Sequence, residues 1–160
     1  MEIVDGKFLT FQLSNEQYGI PIQKIKEIIN IMDITSVPGS PSFIKGVINL
    51  RGKIIPIMDL RLKFDLEEKE YNQRTCIIVV EFDNSGSGRQ MGIVVDTVSE
   101  VLNIQKSDIE PPPKYGSRMD TAFLTGIGKI RNKVVLLLDI DQILNSSEKT
   151  QLSEIRQEEI

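Results

Sequence analysis

The side chains that could carry out chemistry exclude most kinds of catalysis. The chain contains no histidine, the usual general base near neutral pH and the commonest metal ligand in proteins. A Ser-His-Asp triad and a histidine-dependent zinc site are therefore both impossible. Cys76 is the single cysteine, which rules out an intramolecular disulfide, and its apolar surroundings predict a buried, inert thiol. We expect a protein that is not an enzyme and that uses neither a cofactor nor a metal.

Arg51 is the side chain best suited to binding a partner. It follows Asn49 and Leu50 and precedes Gly52, between two apolar runs, and the glycine can adopt the positive φ of a hairpin turn. An arginine at a hairpin tip is either merely solvated or a recognition residue, since arginine is enriched at interface hot spots. Glu27 leaves the same two interpretations open.

Isoleucines are concentrated between residues 20 and 31, and a small domain cannot bury all of them. Two domains could bury them against each other, or they could line an open groove for an amphipathic helix. Both interpretations hold if the seam between the domains closes incompletely. Periodicity does not decide between a helix and a bulged strand over residues 23–32. The residues concerned are Ile20, Ile22, Ile25, Ile28, Ile29 and Ile31.

The chain is a tandem repeat. Residues 43–64 recur 80 residues later at 123–144, with Arg51 matched by Arg131 and Asp59 by Asp139. Residues 18–29 recur 73 residues later at 91–102. The different offsets indicate seven additional residues in the second copy, which we place in the proline-rich loop at 111–116. Two collinear blocks in the same order indicate an internal duplication.

Each copy reads as short strands separated by Gly, Asn and Pro turns, with one short helix. This pattern predicts a mostly β chain of two small barrels in tandem. Asp59 and Asp139 are expected to cap the helices. We predict a first barrel over residues 1–66, a second over 67–145, with strand exchange between them possible, and a polar tail over 146–160 that is a frayed helix or disordered.

Charge and hydropathy limit the partners and the location. Lys and Arg number 19 against 23 Asp and Glu, a net charge of −4, which argues against a nucleic-acid partner. No apolar run reaches the roughly 20 residues that span a bilayer. We expect no signal peptide, because the first residues lack a basic segment followed by an apolar stretch. We therefore expect a cytoplasmic protein without direct membrane insertion.

One long motif resembles a known family. Residues 43–61 read FIKGVINLRGKIIPIMDLR, and GIVVD and LTGIG follow at 92–96 and 124–128. With these segments the chain, from about Phe8 to Leu144, resembles the CheW-like domain family of bacterial chemotaxis coupling (adaptor) proteins. The resemblance implies two five-stranded, SH3-like barrels. It also implies a non-enzymatic adaptor that couples the cytoplasmic tip of methyl-accepting chemoreceptors to the regulatory domain of the histidine kinase CheA, and that is recruited to membrane-anchored receptor arrays.

The resemblance also assigns residues. It ties one set to partner binding: Arg51, Asn49, Gly52, Glu27 and Ile25. It places a second set in an apolar groove that receives the helical receptor tip: Ile22, Ile25, Ile28, Val98 and Leu9. The alternation of β-type residues, however, puts Leu9 on the inward face with Phe11 and Leu13. The alternative function is a small peptide- or RNA-binding SH3-like double barrel unrelated to chemotaxis.

Overall fold

The computed structural model describes residues 6–82, 89–112, 123–144 and 148. Within these ranges the chain forms strands and two one-turn helices, with single 3-10 turns at Ile22–Lys24 and Lys106–Asp108. None of these helices is long and apolar enough to cross a membrane. The elements are β1 (Gly6–Leu13), β2 (Glu16–Pro21), β3 (Ile25–Asn30), β4 (Ile44–Leu50), β5 (Lys53–Asp59), α1 (Leu60–Lys63), β6 (Cys76–Glu81), β7 (Gln90–Val95), β8 (Thr97–Ile104), β9 (Ile109–Glu110), β10 (Leu124–Ile130), β11 (Lys133–Leu138) and α2 (Ile140–Ile143).

The strands form two sheets that exchange elements between the sequence copies. One sheet has the order β8-β1-β2-β11-β10-β9 and the other the order β3-β6-β7-β5-β4. The first two strands of each copy therefore pair with the later strands of the other copy. The prediction of a mostly β chain with two SH3-like barrels is confirmed. The expected boundary between residues 66 and 67 divides the repeat, whereas each sheet combines strands from both sides of it.

Each barrel closes where a glycine lets two backbones approach. In the five-stranded sheet, Thr35 and Val47 exchange backbone hydrogen bonds of 2.9 and 2.8 Å. A Cβ on the neighbouring Gly46, whose φ is 145°, would lie 2.0 Å from the Thr35 carbonyl oxygen. In the other sheet a Cβ on Gly126 would lie 3.0 Å from the Glu110 carbonyl oxygen and 2.6 Å from the Ile109 Cγ2. Both positions therefore require glycine, because no side chain fits the closing contact.

The apolar residues form three clusters. One draws buried side chains only from the five-stranded sheet and one only from the six-stranded sheet, so these two clusters are the barrel interiors. The largest draws from both sheets and lies between them. The interior clusters contain Ile48, Ile55, Ile57, Ile77, Val79 and Val94, and Phe8, Ile104, Ile109, Val135 and Leu137. The central cluster includes Leu9, Phe11, Ile20, Met58, Ile78, Ile93 and Leu138.

A row of aromatic rings runs through the central cluster. Phe11 stacks on Tyr18 and Tyr18 on Phe64, each with centroids 5.9 Å apart. Phe64 in turn stacks on Phe123 at 4.8 Å. Offset aromatic pairs stabilise a fold by more than the burial of their area alone. The row links Phe64, in the turn after α1, to the first copy through Tyr18 and to the second copy through Phe123. Ile20 is fully buried in the central cluster and Ile25 packs partly buried against it, so burial between the barrels explains part of the isoleucine-rich segment, as one of the two interpretations held.

Both predicted helix caps are present in the structure, whereas the thiol differs from its prediction. Asp59 and Asp139 cap the two helices by accepting hydrogen bonds from the N–H groups two residues on. The prediction of a buried thiol was wrong, because Cys76 is partly exposed as the first residue of β6, where fewer neighbours cover it. The hairpin tip at 83–88, residues 113–116 of the second-copy loop and the tail apart from Glu148 lie outside the described residues. Glu148 accepts a hydrogen bond of 2.7 Å from Lys63.

The strand exchange predicts that one copy cannot fold alone. A chain of residues 1–66 would carry β1 and β2, which belong to one sheet, together with β3, β4 and β5, which belong to the other. Without the second copy the central cluster loses about half of its members, and a core of that size is marginal. We expect poorly dispersed amide signals in an NMR spectrum of this fragment and a single unfolding transition for the whole protein. A stable, well-dispersed fragment would contradict this prediction.

Candidate functional site

The turn between β4 and β5 presents Arg51 to solvent on a fixed backbone. Arg51 and Gly52 both adopt positive φ, 52° and 88°, which is the geometry of a type I′ hairpin. Asn49 stabilises the turn, because its Oδ1 accepts a hydrogen bond of 2.8 Å from the Gly52 N–H. The Arg51 side chain is 71% exposed. Asn49 and Gly52 therefore shape the turn, while Arg51 is available for recognition.

Glu27 lies beside this turn and binds Arg51. The Glu27 Oε1 accepts a hydrogen bond from the guanidinium. Glu27 is on β3 and Arg51 follows β4. These two strands are the edges of the five-stranded sheet. The ion pair therefore spans the opening of the barrel. An exposed pair of this kind contributes little to stability, but it holds the Arg51 guanidinium beside the Glu27 carboxylate.

The matching turn in the second copy has the same backbone and different neighbours. Arg131 and Asn132 have φ values of 49° and 64°. The position equivalent to Asn49 is Lys129, whose amine pairs with Glu110 instead of bonding the turn. Arg131 makes no ion pair within the described residues, although it lines a shallow polar pocket with Glu100. The duplication thus conserves the turn, whereas the Asn-Leu-Arg-Gly arrangement is confined to the first copy.

A bulge gives β3 two different faces. The segment that could have been a helix is a bulged strand, with the register shift between Ile25 and Glu27. Because a bulge adds one residue, Ile25 and Ile28 share the face of Val80 and Ile78, which belong to the central cluster. Glu27 shares the opposite face with Ile29, which packs against the barrel interior.

The apolar face of β3 lies at the edge of the central cluster and is only partly covered. Ile25 packs partly buried against that cluster, and Ile28 is 44% exposed. Ile22 is 38% exposed, in the connection that crosses from β2 to β3. Val98, on β8 of the other sheet, also packs partly buried against the central cluster. The resemblance assigns these four residues to one groove for the receptor helix, and we call them the seam groove: Ile22, Ile25, Ile28 and Val98.

Leu9 does not belong to the seam groove. Its side chain is only 4% exposed and is a member of the central cluster. It lies opposite Val101 on β8 and points inward with Phe11 and Leu13, as the alternation of the strand predicted. The resemblance therefore assigned Leu9 to a surface that it cannot reach in the folded chain.

Sequence reasoning missed an ion-pair network beside the groove. Arg61, on α1, is only 8% exposed and binds both carboxylate oxygens of Asp96, with its Nε donating at 2.7 Å. Its Nη1 also donates to the Ser14 hydroxyl at 2.8 Å and to the Glu67 carbonyl at 2.9 Å. Asp96 and Ser14 are 35 and 47 residues from Arg61 along the chain, so no local sequence motif predicts these contacts.

This network changes the pKa of Asp96. Burial raises the pKa of the carboxyl, but the hydrogen bonds from Arg61 and from the Ser14 N–H outweigh it, and the pKa lies below its usual value. Asp96 is therefore a carboxylate in the folded protein at neutral pH. The charge of Arg61 is compensated where water has little access, which is the condition for a mostly buried ion pair to persist.

The site as a whole is equipped for recognition. No group of three His, Cys, Asp or Glu within the described residues could hold a metal ion. In the same part of the chain no buried side-chain polar atom lacks a hydrogen-bond partner. The geometry offers an exposed arginine that pairs with Glu27 of β3, and partly exposed isoleucines on the opposite face of β3.

Comparisons with known proteins give one consistent picture. The model of the CheW-like domain family matches residues 7–148. The chain is similar to the chemotaxis protein CheW of Klebsiella aerogenes, with 43% identity over 147 residues that cover 92% of this chain and 86% of that protein. It is 30% identical to CheW of Treponema pallidum, covering 97% and 92%. The crystal structure of the scaffolding protein TtCheW from Thermoanaerobacter tengcongensis is similar, with a TM-score of 0.80 and 36% identity over 91% of this chain and 96% of that one.

The Arg61–Asp96 pair predicts a specific pH dependence of stability. Replacing Asp96 by Asn leaves the Arg61 charge mostly buried without its carboxylate, at a cost of about 2 kcal/mol at pH 7. Because the folded pKa of Asp96 is lowered, its stabilisation is complete above the unfolded pKa of about 4 and is lost as pH falls through the folded pKa. Urea melts at pH 7 and pH 3 should show the difference between wild type and Asp96→Asn shrinking at low pH.

The exposed Lys129–Glu110 pair supplies the control for this measurement. Glu110→Gln removes a carboxylate whose pair is about 60% exposed on both sides, so its effect at pH 7 should stay within about 0.5 kcal/mol. A difference between wild type and Asp96→Asn that is independent of pH would mean that the loss does not arise from the carboxylate charge.

Proposed function

The chain belongs to the family of CheW-like domain proteins, and we propose on this basis that it is a non-enzymatic adaptor in bacterial chemotaxis. In this function it couples the cytoplasmic tip of chemoreceptors to the regulatory domain of the histidine kinase CheA. It would act in the cytoplasm and be recruited to membrane-anchored receptor arrays. The relatives described above are chemotaxis proteins, which favours this function over an unrelated peptide- or RNA-binding double barrel.

The observation that carries the proposal is the two-faced strand β3. An adaptor must hold two partners at once, and overlapping sites would make them compete. On β3, Glu27 faces the Arg51 turn, whereas Ile25 and Ile28 face the seam. Arginine in a pre-formed turn suits a hydrogen-bonded contact with a folded domain. An apolar groove with staggered aliphatic side chains suits the apolar face of a helix.

We therefore assign one partner to each surface. The kinase regulatory domain would bind the turn, through Arg51, Glu27, Asn49 and Gly52, whereas Ile25 belongs to the other surface. The helical receptor tip would bind the seam groove. Co-sedimentation of the full chain with a receptor cytoplasmic fragment and CheA tests the proposal. We expect a ternary complex, and failure to bind either protein would overturn it. A shift of RNA in a low-salt gel would instead favour the alternative.

The duplication provides a control for the arginine. Arg51→Ala should weaken binding of the kinase regulatory domain by about 5- to 150-fold, the range of a hot-spot residue. Arg131→Ala should have a much smaller effect, because its turn lacks the Asn-Leu-Arg-Gly arrangement. Both variants should unfold within about 0.5 kcal/mol of wild type, since both side chains are on the surface. Calorimetric titrations and thermal melts measure both quantities, and equal losses of affinity would indicate general charge attraction.

A charge in the seam groove should separate binding from folding. Ile28→Glu should weaken binding of the receptor fragment by at least 10-fold, because a docked helix would bury the carboxylate without a partner. The free protein should lose little stability, since Ile28 is already 44% exposed. Val134→Glu, at a 54% exposed site beside the second-copy turn, is the control and should bind normally. An unfolded Ile28→Glu variant would show that this side chain is structural core.

A further inference from the structure

One wall of the seam groove is held by a residue from the other copy of the repeat. The Lys24 amine donates a hydrogen bond of 2.8 Å to Oδ2 of Asp141, which lies on α2. The two side chains are only 27% and 19% exposed. Lys24 ends the 3-10 turn that begins with Ile22, and it directly precedes Ile25. The ion pair therefore lies between two groove residues along the chain.

The turn on this wall is flanked directly by paired strand residues, Pro21 in β2 and Ile25 in β3. The turn Ile22–Lys24 contains no buried residue, and no side chain caps it. It connects β2 of one sheet to β3 of the other, so it lacks strand pairing of its own. The helix that supplies Asp141 is better anchored. Asp139 caps it, and its side chains Ile140 and Ile143 are 1% and 4% exposed in the central cluster.

A similar ion pair between a short helix and a connection lies on the other wall of the seam groove. Arg61 occupies the position on α1 that Asp141 occupies on α2, and it binds Asp96 in the connection between β7 and β8. Asp96 lies two residues before Val98, the groove residue of that wall. In both cases a short helix of one copy holds the connection of the other copy. A contact that the duplication repeats at both walls, with different residues, is more than an incidental surface pair.

We propose that Asp141 is a positioning residue for the seam groove, acting through Lys24 on Ile22 and Ile25. The inference rests on the proposed function, since it deepens the description of the receptor-binding surface. Binding to a pre-ordered surface costs less conformational entropy than binding to a mobile one. Without Asp141 the turn is less ordered in the free protein, and ordering it when the helix docks costs conformational entropy. This cost lowers the affinity for the receptor helix. The Arg51 turn, which is built on β4 and β5, is unaffected.

The test compares two partners on the same variants of the full chain. Asp141→Asn and Lys24→Gln should each weaken binding of a receptor cytoplasmic fragment by about 5-fold. Binding of the kinase regulatory domain should stay within about 2-fold of wild type. The exchanged pair, Lys24→Asp with Asp141→Lys, should restore most of the receptor affinity. Glu110→Gln, which removes an exposed ion pair elsewhere, is the control and should bind both partners normally.

Amide hydrogen exchange provides a second measurement. In Asp141→Asn the amides of residues 22–25 should exchange faster, whereas those in the middle of β1 should keep their protection. Unchanged receptor binding, unchanged exchange at 22–25, or equal losses for both partners would each overturn the inference. If the wild-type chain itself fails to bind the receptor fragment, the proposed function fails and this inference with it, so the two failures are distinguishable.

Discussion

The two copies of the repeat pair reciprocally, and this pairing determines where both sheets and the seam between them lie. β1 and β2 complete the sheet of the second copy, and β6 and β7 complete the sheet of the first. Each copy must therefore cross from one sheet to the other, at the connections after β2 and β7. These crossings form the seam, and the central cluster fills the space between the sheets. The crossing after β2 carries Ile22, which is 38% exposed, and leads into β3, where Ile28 is 44% exposed, so aliphatic side chains remain partly uncovered at this edge of the cluster.

The bulge in β3 turns this constraint into two separate surfaces. A regular strand would place Ile25, Glu27 and Ile29 on one face, since side chains alternate. The extra residue at Lys26 moves Ile25 to the face of Ile28 and leaves Glu27 opposite. An apolar seam and a polar turn can then lie on the same short strand without mixing. The equivalent strand, β8, is also bulged, with Thr10 bonded to both the N–H and the carbonyl of Glu100.

Sequence patterns predicted what depends on neighbouring residues. Hairpin turns and helix caps are local signals, and they placed Arg51, Asp59 and Asp139 correctly. The duplication can be read directly by comparing the two halves of the sequence. The exchange of strands was open, because the same apolar alternation suits pairing within a copy or between copies. The ion pairs of Lys24 with Asp141 and of Arg61 with Asp96 were missed. They join residues 117 and 35 positions apart, and charge alone does not specify such a partner.

The Lys24–Asp141 and Arg61–Asp96 ion pairs also favour pairing of the first copy with the second over pairing of two identical copies. The helix position is basic in the first copy, Arg61, and acidic in the second, Asp141, while the connections carry Lys24 and Asp96 in the opposite sense. Two first copies in this arrangement would place Arg61 against Gln23, the position equivalent to Asp96, with Lys24 next to it. Two second copies would place Asp141 against Thr97, the position equivalent to Lys24, with Asp96 next to it. Like charges with so little solvent access are strongly unfavourable, and a repulsive contact against the wrong partner is an effective source of specificity. The opposite polarity of the pairs thus disfavours like copies, and the resulting pairing of unlike copies creates the seam on which the groove lies.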